Sequence, residues 1–224
     1  MSTLARLLDH SAWTRGLDPA LRARVEAETV TRTCPAGGLV CRKGERVDHW
    51  IGVVDGLVKM ANVSAAGKPI SLTGIASGGW FGEGSLLKDE PRRYDIVALR
   101  DSAIAYMPRG VFMALLDHSV AFNRFLIMQL NERLGQFIGL VEHDRLLGPD
   151  ARVAQCIAGL LNPVLYGSVD ESLPITQEEL GQLAGLSRQR VNQALKVLEQ
   201  AGLLRVDYRG ITVLDLAGLR GFES

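Results

Sequence analysis

The sequence has no long apolar run, few cysteines and no excess of either charge, and each shortage closes off a class of function. No stretch of the 224 residues approaches 18 consecutive apolar residues, and no basic segment followed by an apolar one opens the chain. Neither a membrane span nor a secretory leader is therefore expected, which leaves a cytoplasmic protein without a membrane partner. Cys34, Cys41 and Cys156 are odd in number and lack Cys-x-x-Cys spacing. They read as buried or free thiols, not as a disulfide framework or a zinc knuckle. His10, His49, His118 and His143 share no ligand spacing, so neither a metal site nor a haem is expected. No Gly-Lys-Ser/Thr loop, Ser-His-Asp set or paired carboxylates stand out, and the chain is expected not to be an enzyme. With 25 basic and 25 acidic residues the net charge is zero, so only local patterning can point to a partner.

What is present divides the chain into three textures. Residues 1–110 begin with two short helical patterns, Leu4, Leu7, Leu8 and then Leu21, Val25. From about Thr31 to Pro108, runs of Val, Ile and Leu alternate with turn signals at Asp55-Gly56, Ala66-Gly67, Ser77-Gly78-Gly79 and Arg100-Asp101. That spacing predicts a small antiparallel barrel or roll, with Asp55-Gly56 as a hairpin. Residues 111–148 are read as a long helix in which Leu130, Leu134, Phe137 and Val141 form one apolar stripe, flanked by Gln129, Glu132, Arg133 and Gln136. Such a stripe predicts a two-helix seam and hence a homodimer. Gly148-Pro149-Asp150 ends the helix as a hinge, because proline removes a donor and restricts the residue before it. Residues 149–224 follow with a helix from Asp150, a capped helix opening at Thr176 with Glu179 three residues on, and a second helix capped by Ser187 and stopped at Gly202. A hairpin around Tyr208-Arg209-Gly210 completes a winged helix-turn-helix.

The helix from Ser187 carries the most specific chemistry. If Val191, Ala194, Leu195 and Leu198 face inward, Arg188, Gln189, Asn192, Gln193 and Lys196 share the outward face, and no acid lies between Leu186 and Val197. Arginine matches both major-groove acceptors of guanine, and asparagine or glutamine matches the donor and acceptor of adenine. A helix of this kind, behind a capped helix and a tight turn, is expected to enter the major groove of double-stranded DNA. From Asp150 onward seven basic residues face nine acidic ones, so the contact should be narrow and aimed. The competing reading is a small-molecule-binding β-roll whose helix-turn-helix is a protein-interaction module. Salt-dependent binding to random DNA separates the two.

"ITQEELGQLAGLSRQRVNQALKVLEQAGLL" resembles the helix-turn-helix of the cyclic-AMP receptor protein/FNR family of bacterial transcription regulators. "GGWFGEGSLL" followed by "PRRYD" resembles that family's phosphate-binding cassette, and the long helix its dimerisation helix. The resemblance implies an α+β chain: a cyclic-nucleotide-binding-like β-roll, a dimer helix and a winged helix-turn-helix on an inverted-repeat site. It leaves RNA polymerase and a small-molecule effector open as further partners. Arg188, Gln189 and Gln193 fall at the family's three principal base-reading positions. Cyclic-AMP-responsive members carry Arg, Glu, Arg there, so a different target is implied. Thr176, Gln177, Ser187 and Arg209 complete the expected DNA-contacting set.

In the cassette, glycines at 78, 79, 82 and 84 would let backbone N–H groups approach a phosphate, Arg93 would neutralise it, and Glu83 would accept a ribose hydroxyl. The alternative is a barrel corner with a Glu83–Arg93 ion pair. Nucleotide-binding relatives follow the arginine with serine or threonine, where this chain has Tyr94. Aligned by Arg152, Phe137 and Ile138 stand where those relatives hold adenine with hydroxyl residues. The expected pocket is Gly82, Glu83, Gly84, Arg93, Tyr94, Phe137 and Ile138, with cyclic AMP not its switch. Three scattered cysteines cannot supply the iron–sulfur cluster of FNR-type oxygen sensors.

Overall fold

The structure is a computed structural model that describes residues 3–63, 69–146, 148–167, 172–208 and 210–223. Helix α1 (Thr3–His10) and a 3-10 turn (Ala12–Thr14) lead to α2 (Pro19–Glu28), which Asp18 caps by accepting from the N–H groups of Ala20 and Leu21. Eight strands follow: β1 (Val30–Cys34), β2 (Leu39–Cys41), β3 (His49–Asp55), β4 (Leu57–Val63), β5 (Pro69–Ala76), β6 (Trp80–Phe81), β7 (Asp95–Ala98) and β8 (Ser102–Pro108). A short α3 (Glu83–Lys88) lies between β6 and β7. The strands form two antiparallel sheets, ordered β1-β8-β3-β6 and β2-β7-β4-β5, and the inner faces meet at Ile51, Val53, Val58, Ile75, Phe81, Ile96 and Ile104.

The turn signals build this roll differently from the sequence expectation. Asp55-Gly56 is not a hairpin. Asp55 pairs with Ala103 of β8, whereas Leu57 pairs with Ala76 of β5, so the chain changes sheet at Gly56. Gly56 has φ 109° and lies against Ser102, where a side chain would collide with the serine hydroxyl. Ser77-Gly78-Gly79 and Arg100-Asp101 also connect one sheet to the other. The Ala66-Gly67 signal lies outside the described residues, between the paired strands β4 and β5.

After the roll, α4 (Arg109–His118) and α5 (Val120–Leu146) meet at Ser119, bent by 108°, so the long helix begins later than residue 111. Among the described residues no single helix is long and apolar enough to cross a membrane. Phe112 of α4 and Phe122 of α5 join Trp13, Trp50 and Trp80 in an aromatic cluster, with Trp50 stacked on Trp80 at 4.4 Å. Offset and edge-on rings of this kind bury large areas and tie the N-terminal helices to the roll.

The C-terminal part comprises α6 (Pro149–Leu160), α7 (Pro163–Tyr166), β9 (Ser172–Leu173), α8 (Gln177–Ala184), α9 (Arg188–Gln200), β10 (Leu204–Asp207), β11 (Gly210–Val213) and α10 (Leu216–Arg220). Val153, Ile157, Leu180, Val191, Leu195, Leu198, Ile211 and Leu219 form its core, which runs on into Leu57 of the roll. The two halves pack closely. Arg100 bonds Glu179 through both carboxylate oxygens at 2.6 and 2.7 Å, and the Tyr166 hydroxyl donates to the Gly74 carbonyl at 3.0 Å. A Cβ at Gly79 would lie 2.8 Å from the Tyr166 ring and one at Gly78 2.5 Å from its carbonyl. These two glycines serve the close approach of α7, not the approach of a phosphate.

Candidate nucleic-acid interface and effector cassette

The first helix of the turn begins with a full capping box. Thr176 Oγ1 accepts from the Glu179 N–H, and the Glu179 carboxylate accepts from the Thr176 N–H at 2.8 Å. Burial pushes the Glu179 carboxyl up, but the hydrogen bonds from Arg100 and Thr176 outweigh it and leave the group below the usual carboxylate range. Ser187 then caps α9 by accepting from the Arg190 N–H at 3.3 Å. Val191, Ala194, Leu195 and Leu198 are buried, as their spacing predicts. Arg188, Gln189, Gln193 and Lys196 are exposed together on the opposite side.

The remaining predicted contacts are distributed less evenly. Asn192 is half-buried, and its amide oxygen accepts from Gln177 of α8 at 3.4 Å. Thr176 and Ser187 stand exposed at the two helix starts. Arg209 lies outside the described residues, between β10 and β11 of the wing. Arg190 turns aside to Asp150. This last pair was not expected from sequence.

The cassette departs further from expectation. Arg93 points to the surface and pairs with Glu90 at 2.6 Å, whereas Arg92 points inward. The two adjacent arginines lie in the bend just before β7 and point to opposite sides of it, so a shift of one residue exchanges inside for outside. Arg92 Nη2 donates to the His49 carbonyl at 3.1 Å, and its Nη1 has no hydrogen-bond partner among the described residues. Gly82, with φ 92°, admits it: a Cβ there would lie 2.8 Å from Nη1.

Glu83 is 4% exposed and pairs with Arg133 of α5, 8% exposed, at 3.4 Å, not with Arg93. Arg133 Nη2 also donates to the Trp80 carbonyl at 2.5 Å. One turn earlier Gln129 is fully buried, with neither amide atom hydrogen-bonded among the described residues. Tyr94 packs against the roll's core, and burial, with the Glu83 charge second, pushes its phenol up to about 12. Gly84 faces open space. Phe137 is partly buried against the roll, whereas Ile138 is exposed on the other side of α5.

The α5 stripe is corrected accordingly. Ile127, Leu130, Leu134 and Ile138 are exposed together, while Phe137 belongs to the inward face with Phe122, Leu126, Gln129 and Arg133. Gln129 and Arg133 are therefore not flanks of a helix seam. Spacings of 4, 3, 4 and 4 from Phe122 to Phe137 carried this inward face in the sequence, hidden because two members are polar. Val141 is in α5, but its side chain lies outside the described residues. Burial also pushes the thiols up, Cys41 to about 11 and Cys156 to about 12, away from the reactive thiolate form.

A β-roll with a cassette corner, a long helix and a winged helix-turn-helix with an acid-free polar face define a DNA-binding transcription regulator with an effector-type domain. Residues 31–119 match the cyclic nucleotide-binding domain and residues 151–222 the Crp-like helix-turn-helix domain. The chain belongs to the cyclic-AMP receptor protein/FNR family. It is 28% identical over 182 residues to the cAMP-activated global transcriptional regulator CRP of Haemophilus influenzae, covering 80% of this chain and 81% of that one. It is 24% identical over 204 residues to a CRP-like cAMP-activated global transcriptional regulator of Mycobacterium tuberculosis, covering 90% and 91%. Among solved structures it resembles FixK2 of Bradyrhizobium japonicum (TM-score 0.65, 20% identity, 88% and 98% covered). The catabolite activator protein of Thermus thermophilus is similar over 94% and 98% (TM-score 0.52, 24% identity). At these identities the solved structures speak for the fold.

Proposed function

We propose that this regulator acts as a homodimer on an inverted-repeat DNA site, reading bases with Arg188, Gln189 and Gln193, and that cyclic AMP is not its switch. The exposed, acid-free polar face of a firmly capped α9 carries the reading, since its residue types match base edges and its N-terminus is free to enter a groove. Thr176, Gln177, Ser187, Asn192 and the wing's Arg209 complete the contact surface. Lys196, farther along the same face, serves phosphate. The exposed stripe of Ile127, Leu130, Leu134 and Ile138 supports the dimer, because a lone helix face of this kind leaves apolar area in water.

Two relatives are cAMP-activated by name, yet the cassette here speaks for another control. Glu83 is engaged by Arg133, Arg93 by Glu90, and Phe137 and Ile138 offer a base edge no hydrogen bond. The roll either answers a different polar effector or leaves DNA binding constitutive. The protein works by binding, without a catalytic step, in the cytoplasm where bacterial DNA lies. RNA polymerase is a further partner if the bound dimer activates.

A selection of bound DNA sequences tests the reading. Wild type should return an inverted repeat, and Arg188→Ala should lose about 1–3 kcal/mol on it and relax one base pair. Lys196→Ala should weaken all sequences and make the salt slope shallower by about one. Unchanged base preferences in Arg188→Ala would remove that residue from the reading role. Micromolar binding of cyclic AMP by calorimetry, with a tenfold or larger gain in DNA affinity, would overturn the statement on the switch.

A further inference from the structure

The first turn after the long helix is joined to the first turn of the reading helix by one ion pair. Asp150 is the second residue of α6, two residues past Gly148, and its Oδ1 lies 2.7 Å from Nη2 of Arg190, the third residue of α9. Both side chains are partly buried. Asp150 Oδ1 is wholly shielded from solvent and has no well-formed hydrogen bond among the described residues, so Arg190 is its charge compensation. The carboxylate does not cap its own helix either, because the N-cap of α6 is Gly148, which carries no side chain.

Arg188 and Lys196, by contrast, stand exposed without an ion pair among the described residues, as groups that meet DNA should. Arg190 is committed to the protein. The long axes of α6 and α9 are held by apolar contacts among Val153, Ala154, Ile157, Val191, Ala194 and Leu198. Such contacts make a close-packed core between the two helices but place no bond at their N-termini. The charge pair at 2.7 Å supplies an attraction there, one that weakens if either helix start moves away.

We propose that Asp150 and Arg190 form a strut that sets the rotation and axial position of α9 relative to the hinge, with Arg190 a positioning residue and not a DNA contact. This rests on the base-reading role of Arg188, Gln189 and Gln193. A displacement of the α6 N-terminus at Pro149–Asp150 is passed by the strut to the reading helix, so the two helix starts move as one body.

The test uses the full-length protein, with affinity for the selected site and for random DNA measured at several salt concentrations, alongside thermal unfolding. Asp150→Asn and Arg190→Gln are both expected to lower affinity for the selected site about tenfold, the effect typical of a coupled ion pair, while random-DNA affinity and salt slope stay as in wild type. Arg190→Lys, which keeps the charge for this single N···O contact, should stay close to wild type, as should the exchange Asp150→Arg with Arg190→Asp. Opposite signs would overturn the strut: affinity raised on all DNA by Asp150→Asn and lowered with a shallower slope by Arg190→Gln marks Arg190 as a phosphate contact. Loss of thermal stability without a change in the ratio of specific to random binding would also overturn it. If wild type selects no sequence, the base-reading role itself fails, a result distinct from either of these.

Discussion

Replacing Arg133 by methionine removes the cation that faces a carboxylate buried between the cassette and α5. Glu83 would be left 4% exposed with no opposing charge from this pair, and breaking a buried pair from one side costs about 3–5 kcal/mol. At roughly 2–4 °C per kcal/mol for a chain of this length, the midpoint should fall by about 6–20 °C at fixed protein concentration. The double replacement Glu83→Met with Arg133→Met behaves differently. The pair is 3.4 Å apart, and Glu83 Oε2 and Arg133 Nε lack hydrogen bonds, so its attraction compensates desolvation poorly. Removing both charges should return about 1–4 kcal/mol, offset by about 1–3 kcal/mol for the Trp80 carbonyl that loses its donor. The double variant should therefore unfold within about 3 kcal/mol of wild type. Urea unfolding followed by tryptophan fluorescence reads this directly, since Trp80 stacks on Trp50 beside the pair. A single variant that loses less than about 1 kcal/mol, or a double variant no more stable than the single, would refute the account.

Leu134→Asp places a charge in the exposed α5 stripe and should convert the dimer to monomer in sedimentation at micromolar concentration; a monomeric wild type would refute the seam. Tyr166→Phe deprives the buried Gly74 carbonyl of its phenolic donor, leaving it the Thr73 hydroxyl, and should cost about 0.5–1.5 kcal/mol in denaturant unfolding. Gly79→Ala, which presses on the Tyr166 ring and Ile75, should cost about 1–3 kcal/mol, and the two changes should not add. Glu179 has a folded-state pKa below its unfolded value, so its contribution is complete above the unfolded value of about 4.3 and is lost as pH falls through the folded one. Glu179→Gln should lower stability at neutral pH and flatten the acid limb of the stability curve; an acid limb parallel to wild type would count against the Arg100–Glu179 contact.

Local chemistry explains which elements could be read in advance. The capping residues Thr176 and Ser187, Gly202 after α9, and the 3.6-residue spacing of Val191, Ala194, Leu195 and Leu198 act over one or two turns, so α9 and its polar face followed from the residues alone. The roll was legible as a class, because alternating runs and glycine turns demand an antiparallel β domain. Its connections were not: Asp55-Gly56 has hairpin composition, but whether the next strand returns in the same sheet depends on what lies behind the turn, here Ser102.

The cassette failed for a similar reason. Which of two adjacent arginines faces inward depends on a one-residue register, and composition is blind to that choice. Arg133 and Gln129 were misplaced because polar residues on a helix are normally outside, and only a buried carboxylate and a carbonyl from elsewhere in the chain make an inward arginine tolerable. By itself, then, the sequence determined the order of the three textures, the caps of α8 and α9 and the polar face of α9, all of which depend on neighbours within a few residues. The tertiary structure alone decided which charges meet, Glu83 with Arg133, Arg100 with Glu179 and Asp150 with Arg190, because each pair joins segments 40 to 79 residues apart and no short-range signal specifies such a distance.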